Sequence, residues 1–144
     1  HDIGLLVYDY LVPEQFDQFL ATTDFNDPDQ PLEALEKNFF GISRSELGAA
    51  YLKEWWPVSP KIVEATQAPG GPGLEKDQTP NLARLVSTAN RIANKYGLDH
   101  PFETGLHQAA DENYLETLKM SKQEMDELVD WAQIGVLAAE SVLE

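Results

Sequence analysis

Apolar positions along the chain recur with the period of an α-helix, not with the alternation of a β-strand. In the opening segment, Ile3, Leu6, Val7 and Tyr10 fall at the i, i+3, i+4, i+7 spacing of one helix face. Comparable stripes, bounded by proline, glycine or polar clusters, predict further helices near residues 13–22, 32–40, 43–56, 60–65, 80–96 and 114–118 and from about 122 onwards. The pattern predicts a compact all-α bundle of about seven helices, with no sheet.

The fourth predicted helix has a well-marked start and end. Ser43 and Glu46 have capping-box spacing, and Pro57 stops the helix. Its buried stripe is expected to consist of Leu47, Gly48, Tyr51, Leu52 and Trp55. Trp56 follows directly, and because neighbours on a helix point about 100° apart, one stripe cannot bury both indoles. Since tryptophan is enriched in binding hot spots, Trp56 is the candidate contact with a partner protein; the alternative is that both tryptophans belong to the core.

The last predicted helix is the longest and has two contrasting faces. Ser121 and Glu124 repeat the capping-box spacing at its start. Its apolar stripe keeps helical period over five turns and predicts a buried face formed by Met125, Leu128, Val129, Ala132, Val136, Ala139 and Leu143. The carboxylates between them predict a solvated face, formed by Glu124, Asp126, Glu127 and Asp130.

Composition and charge narrow the possible partners. The chain is 42% hydrophobic and 24% charged, which is enough apolar mass for one core of ordinary domain size. Its net charge of −15 opposes binding to nucleic acid or to an anionic membrane surface. No apolar run approaches the ~20 residues that span a bilayer. The absence of cysteine excludes disulfides and fits a cytoplasmic protein. The stretch 68–73, rich in proline and glycine, is expected to be a surface loop within this single domain.

The chain opens on a His-Asp pair, a combination typical of metallohydrolases. Imidazole and carboxylate are good ligands for Zn, Mn or Fe, and a bound metal makes hydroxide available near neutral pH. A catalytic site, however, usually takes three or more protein ligands. The other histidines, His100 and His107, fall in a predicted connecting segment. His1 and Asp2 alone therefore do not predict a working metal site, and their simplest interpretation is a surface histidine and a carboxylate favoured by the helix dipole.

Several segments occur in an order and spacing that resemble one family. These segments are residues 1–6 (His-Asp-Ile-Gly-Leu-Leu), 40–52 with the tryptophan that follows, 60–65 and the alanine-rich 83–97. They resemble the C-terminal two-thirds of an HDOD domain, the signalling-output branch of the HD superfamily. The resemblance implies that residues 1–144 belong to one such domain whose N-terminal part is absent from this chain. No helix cap precedes the first stripe, which agrees with that expectation.

The departures from this family pattern concern its metal ligands. Arg44 stands where many members have a histidine, and Pro69 and Gly70 stand where a His-His pair commonly follows. The position of a metal-binding aspartate in catalytic relatives corresponds to Asn90. Arginine stays protonated and an amide is a poor ligand. The resemblance thus implies a degenerate metal site without a cofactor, in which His1 and Asp2 are vestigial and Arg44 and Asn90 are eroded positions.

Two functions follow as expectations. The first is a non-catalytic regulatory domain of bacterial signal transduction that acts through protein–protein contacts. Its partners would be a signalling protein, a fused receiver or sensor domain, or the missing N-terminal part of the same domain, and the exposed apolar surface of a partial domain would favour homo-oligomers. The alternative is a metal-dependent HD-type phosphohydrolase acting on nucleotides or cyclic dinucleotides, with further ligands from the missing segment.

Overall fold

A computed structural model describes residues 1–25, 30–67, 82–97 and 118–143. Within these residues the chain forms seven helices and no strand, which confirms the all-α prediction. The helices are α1 (Ile3–Leu11), α2 (Pro13–Thr22), α3 (Leu32–Phe40), α4 (Arg44–Trp55), α5 (Pro60–Gln67), α6 (Leu82–Lys95) and α7 (Lys122–Leu143). The proline- and glycine-rich stretch, the predicted helix near 114–118 except its last residue, and both histidines beyond His1 lie outside the described residues.

Local sequence signals set the ends of the helices. Pro13 opens α2 at a position where its missing N–H costs no helical hydrogen bond. Gly41 ends α3 in the left-handed conformation, at φ 81°. The capping box of α4 is formed as predicted, because Ser43 N donates to Glu46 Oε2 at 3.1 Å and Glu46 N donates to Ser43 Oγ at 3.3 Å. These signals turn the chain from α3 directly into α4.

An aromatic core holds α1, α2 and α3 together. The buried members are Tyr8, Phe16, Phe19 and Leu32. The ring of Phe40 stacks on Tyr8 with centroids 4.2 Å apart and lies 5.0 Å from the ring of Phe19. The hydroxyl of Tyr8 donates to the carbonyl of Ile42 at 2.6 Å. The turn after α3 is therefore fixed against α1.

Two glycines let α1 and α4 approach each other closely. A Cβ atom on Gly4 would lie 1.9 Å from the carbonyl oxygen of Arg44. A Cβ atom on Gly48 would lie 2.9 Å from Ile3 Cγ2 and 3.0 Å from the backbone nitrogen of Gly4. Only glycine fits at the first of these contacts, and at the second a larger residue would require α1 or the side chain of Ile3 to shift. As a result, the start of α1 lies against the start of α4.

A second, smaller core joins α6 to α7, while α5 packs on both α4 and α6. Its buried side chains are Ile92, Met125 and Val129. Leu128 and Val136, which the apolar stripe of α7 predicts to be buried, are substantially exposed. Burial on α7 is therefore confined to a narrower row than the sequence indicates.

Two further expectations about burial are wrong. Trp55 is 72% exposed instead of buried, because it is the last residue of α4 and lies beyond the contact with α1. Tyr10 is also exposed, because α1 turns Gly4, Val7 and Tyr8 inwards. In α1 the close approach at Gly4, and not the widest apolar stripe, decides which face is buried, whereas in α4 it is the position of Trp55 at the helix end that exposes it.

Candidate functional site

A buried ion pair lies where α3, α1 and α4 meet. The carboxylate of Glu36 is 0% exposed and the side chain of Arg44 is 5% exposed. Arg44 Nε donates to Glu36 Oε1 at 2.6 Å, and the backbone N–H of Arg44 donates to Glu36 Oε2 at 2.8 Å. The Glu36 carboxylate thus accepts hydrogen bonds from both the guanidinium and the backbone N–H of Arg44. Charge-assisted hydrogen bonds of this kind are the strong ones in proteins.

The His-Asp pair lies on the other side of the same guanidinium. Asp2 Oδ1 is 3.8 Å from Arg44 Nη1, within ion-pair distance but beyond hydrogen-bond distance. Asp2 Oδ2 is 3.2 Å from His1 Nε2. Asp2 is the N-terminal cap residue of α1, but its side chain makes no capping hydrogen bond. Its carboxylate therefore lies between an imidazole and a fixed positive charge.

The local sequence explains why these groups converge. Gly41 reverses the chain after α3, which brings Glu36 back to the first turn of α4. Backbone N–H groups in the first turn of a helix have no partner within the helix and carry the positive end of its dipole. Glu36 satisfies one of these groups at Arg44. Gly4 then brings α1, and with it Asp2, to the same point.

Further polar contacts connect α3 to the start of α4 around this pair. The hydroxyl of Ser45 donates to Glu33, and Ser43 Oγ lies 3.2 Å from Ser45 Oγ. On the exposed side, Lys37 Nζ lies 2.9 Å from Glu46 Oε1. The carboxylate of Glu46 has its pKa lowered, first by Lys37 and then by the backbone of Ser43. Polar contacts between α3 and the start of α4 therefore extend from the buried ion pair to the exposed surface.

Burial dominates the electrostatics of the centre. It raises the pKa of the Glu36 carboxyl, while the charge of Arg44 and its hydrogen bonds oppose that rise. The pKa of the neighbouring Tyr8 hydroxyl is also raised, first by burial and then by the negative charge of Glu36. The phenol of Tyr8, which is protonated at neutral pH even at its ordinary pKa, is therefore still harder to ionise beside this ion pair.

The donor set does not fit a catalytic metal ion. A divalent cation bound at His1 and Asp2 would meet the guanidinium of Arg44, which cannot lose its proton and repels it. Among the described residues, no three side chains of His, Cys, Asp or Glu are grouped in a way that could hold a metal. The Arg44 position therefore supplies a competing positive charge where the family resemblance implies a ligand.

The structure brings together three of the predicted site residues: His1, Asp2 and Arg44. Asn90 is half-buried on α6, a helix that packs on α5, outside the contact between α1 and α4. Trp56 is the residue that follows α4 and is 52% exposed, next to the more exposed Trp55. The two indoles therefore form a surface feature at the turn between α4 and α5.

The sequence interpretation missed Glu36. It lies at i+4 from Leu32 and i−4 from Phe40, so it shares a helix face with two core residues. A carboxylate in an apolar row indicates a buried charge that needs a partner. That spacing was available in the sequence and would have pointed to a cation from elsewhere in the fold.

Comparisons with known proteins add no relative. No protein-family model matches the chain, and neither the curated proteins nor the solved structures contain a match. The resemblance to an HDOD domain therefore stays a prediction. Among the helices described, none combines the length and the apolar character that crossing a membrane requires.

Proposed function

We propose that the chain is a non-catalytic regulatory domain of the HDOD type, located in the cytoplasm, that acts through contacts with other proteins. The observation that carries this proposal is the position of Arg44, whose guanidinium lies between Glu36 and Asp2. In an HD-type hydrolase a metal ion would balance the charge of the aspartate. Here a side chain of this chain supplies the positive charge.

The exchange of a metal for a guanidinium changes what the site can do. A metal acts as a Lewis acid and lowers the pKa of bound water. A guanidinium has no open coordination position and binds carboxylates through its planar set of donors. With Glu36 fully buried against it, Arg44 holds α3, α4 and the start of α1 in one arrangement. The site is therefore proposed to have a structural role, which is to fix how α1, α3 and α4 pack against each other.

The exposed tryptophans support an interaction role. Trp55 and Trp56 are 72% and 52% exposed at the turn that precedes α5. Exposed indoles are costly to leave in water, and tryptophan is among the residues that contribute most to protein–protein binding. A signalling partner or a fused receiver or sensor domain would bury this pair.

The rival phosphohydrolase is distinguished by its dependence on metal. The assay measures hydrolysis of p-nitrophenyl phosphate and bis-p-nitrophenyl phosphate with added Mn²⁺, Zn²⁺ or Mg²⁺. We expect the chain to be no faster than its Asp2→Asn variant, which lacks the carboxylate that any metal at this pair would need. A metal-dependent rate that Asp2→Asn abolishes would contradict the proposal and support hydrolysis.

A further inference from the structure

The middle of α7 carries an apolar row that the core does not cover. Trp131 is 75% exposed, and Ile134 and Leu137 are each 66% exposed. All residues from 133 to 139 are exposed. This row is separate from the packed one: nine residues separate Ile134 from Met125, which at about 100° per residue places them on opposite sides of the helix. The helix α7 therefore has two apolar faces, one packed against the core and one exposed.

The surface of α7 beside Ile134 has open space around it. A Cβ atom added to Gly135 would have no neighbour within 4 Å. Side chains at i and i+3 are neighbours on a helix, so Trp131, Ile134 and Leu137 form one continuous strip. Rows of this kind are the anchors by which an amphipathic helix pairs with a helix or groove of a partner protein.

Carboxylates continue the same face towards the start of the helix. Glu127 and Asp130 each lie four residues before a member of the strip, Trp131 and Ile134 respectively, and both are exposed. Glu127 Oε1 accepts a hydrogen bond from Gln123 Nε2 at 3.0 Å, another exposed contact. The face thus presents negative charge at one end and apolar side chains at the other.

The geometry points to a partner of matching chemistry: the face formed by Glu127, Asp130, Trp131, Ile134 and Leu137 binds an amphipathic helix of another protein that presents apolar residues flanked by lysine or arginine. A second copy of this chain fits poorly. Its own α7 offers one basic residue, Lys122, against five carboxylates, and each chain has a net charge of −15. This inference rests on the proposed function only in that the domain acts by binding a protein.

The test uses the full chain and a fluorescein-labelled synthetic helical peptide with leucine along one face and lysine along the other. Fluorescence anisotropy gives the Kd, and a peptide with glutamate in place of lysine is the comparison. We expect binding of the lysine peptide only, weakening with salt because charges at the rim contribute. Equal binding of both peptides, or none, would overturn the inference.

Matched variants distinguish binding at this face of α7 from non-specific electrostatic binding to an acidic protein. Ile134→Ser is expected to weaken binding about tenfold or more, since a central apolar contact is lost. Its control is Tyr10→Ser, an exposed apolar residue on α1. Asp130→Lys is expected to weaken binding about threefold or more, whereas Asp17→Lys, an exposed position on α2 with the same change of charge, leaves it within about twofold. Controls that weaken binding as much as the α7 variants would overturn the inference.

Two further measurements test other occupants of the face. Sedimentation that shows a dimer, made monomeric by Ile134→Ser, would assign the face to a second copy. Slow amide hydrogen exchange of Ile134 and Leu137 in the monomer would assign it to another segment of this chain. If Ile134→Ser lowers the thermal stability, Leu137→Ser replaces it as the test variant. None of these results depends on hydrolysis, so failure here and failure of the proposed function are distinguishable.

Discussion

The ion pair between Glu36 and Arg44 gives the sharpest prediction about stability. Arg44→Met removes the guanidinium but keeps most of the apolar stem. Glu36 would then remain fully buried without the charge that now lies 2.6 Å away. Breaking a buried pair by removal of one partner costs roughly 3–5 kcal/mol. Because domains of this size are stable by about 5–15 kcal/mol, we expect a large fraction of the folding free energy to be lost.

Urea unfolding followed by far-UV circular dichroism measures this loss. With a slope of about 1–3 kcal/mol per M urea, the midpoint should fall by roughly 2 M. The control is Lys37→Met, which breaks the half-exposed pair with Glu46 and should lower the urea midpoint far less, because solvent screens that pair. The double variant Glu36→Leu with Arg44→Met should recover part of the stability, because no buried charge remains although the backbone N–H of residue 44 loses its acceptor. A loss in Arg44→Met no larger than that in Lys37→Met would refute the reasoning.

The same variant gives a dependence on pH with a defined sign. Burial raises the pKa of Glu36, and the charge and hydrogen bonds of Arg44 oppose the rise, so removing the guanidinium leaves it opposed mainly by the backbone N–H of residue 44. A carboxyl group whose pKa is higher in the folded state contributes stability that is complete below its unfolded pKa and is lost as pH rises through the folded pKa. The deficit of Arg44→Met should therefore be largest at neutral pH and shrink as pH falls. A deficit that grows on acidification would contradict this.

The remaining predictions concern helix contacts, caps and the eroded ligand position. Gly4→Ala should cost about 3 kcal/mol or more in chemical unfolding, since its Cβ would meet a backbone carbonyl at 1.9 Å, whereas Gly135→Ala, with open space at its Cβ, should stabilise α7 by about 0.5–1 kcal/mol. Ser43→Ala should cost about 1 kcal/mol at neutral pH. Part of this cost is the hydrogen bond from the Ser43 hydroxyl to the Glu46 carboxylate at 3.2 Å. Since the pKa of Glu46 is lowered in the fold, that part is present above its unfolded pKa and is lost as pH falls through the folded pKa, so the effect of Ser43→Ala should diminish slightly in acid. Asn90→Asp should not create a tight metal site, and a single-site complex of sub-micromolar affinity in calorimetry would contradict that expectation.

Features that depend on neighbours along the chain could be predicted from the sequence. The capping box at Ser43 and Glu46, the left-handed Gly41 and the opening of α2 at Pro13 are all found where the pattern indicates them. Each depends on hydrogen bonds or backbone angles within a few residues. The helical fold follows from these signals together with the spacing of apolar residues.

Features that depend on which helices meet could not be predicted in the same way. Arg44 was recognised as a departure from a ligand pattern, but its partner Glu36 lies on another helix and was missed. Trp55 belongs to an apolar stripe yet is exposed, because the contact between α1 and α4 is centred on Gly4 and Gly48. Periodicity predicts the apolar faces of a helix but not which of them packs against another helix. The helix α7 has two apolar faces, and only one of them is packed.

The most direct test of the account is the metal content of the protein purified without chelator, measured by elemental analysis. If the guanidinium of Arg44 supplies the positive charge beside Asp2, the content of Fe, Mn and Zn together should be well below one atom per chain. A stoichiometric metal that is lost in the Asp2→Asn variant would contradict the account and make the His1–Asp2 pair a working metal site.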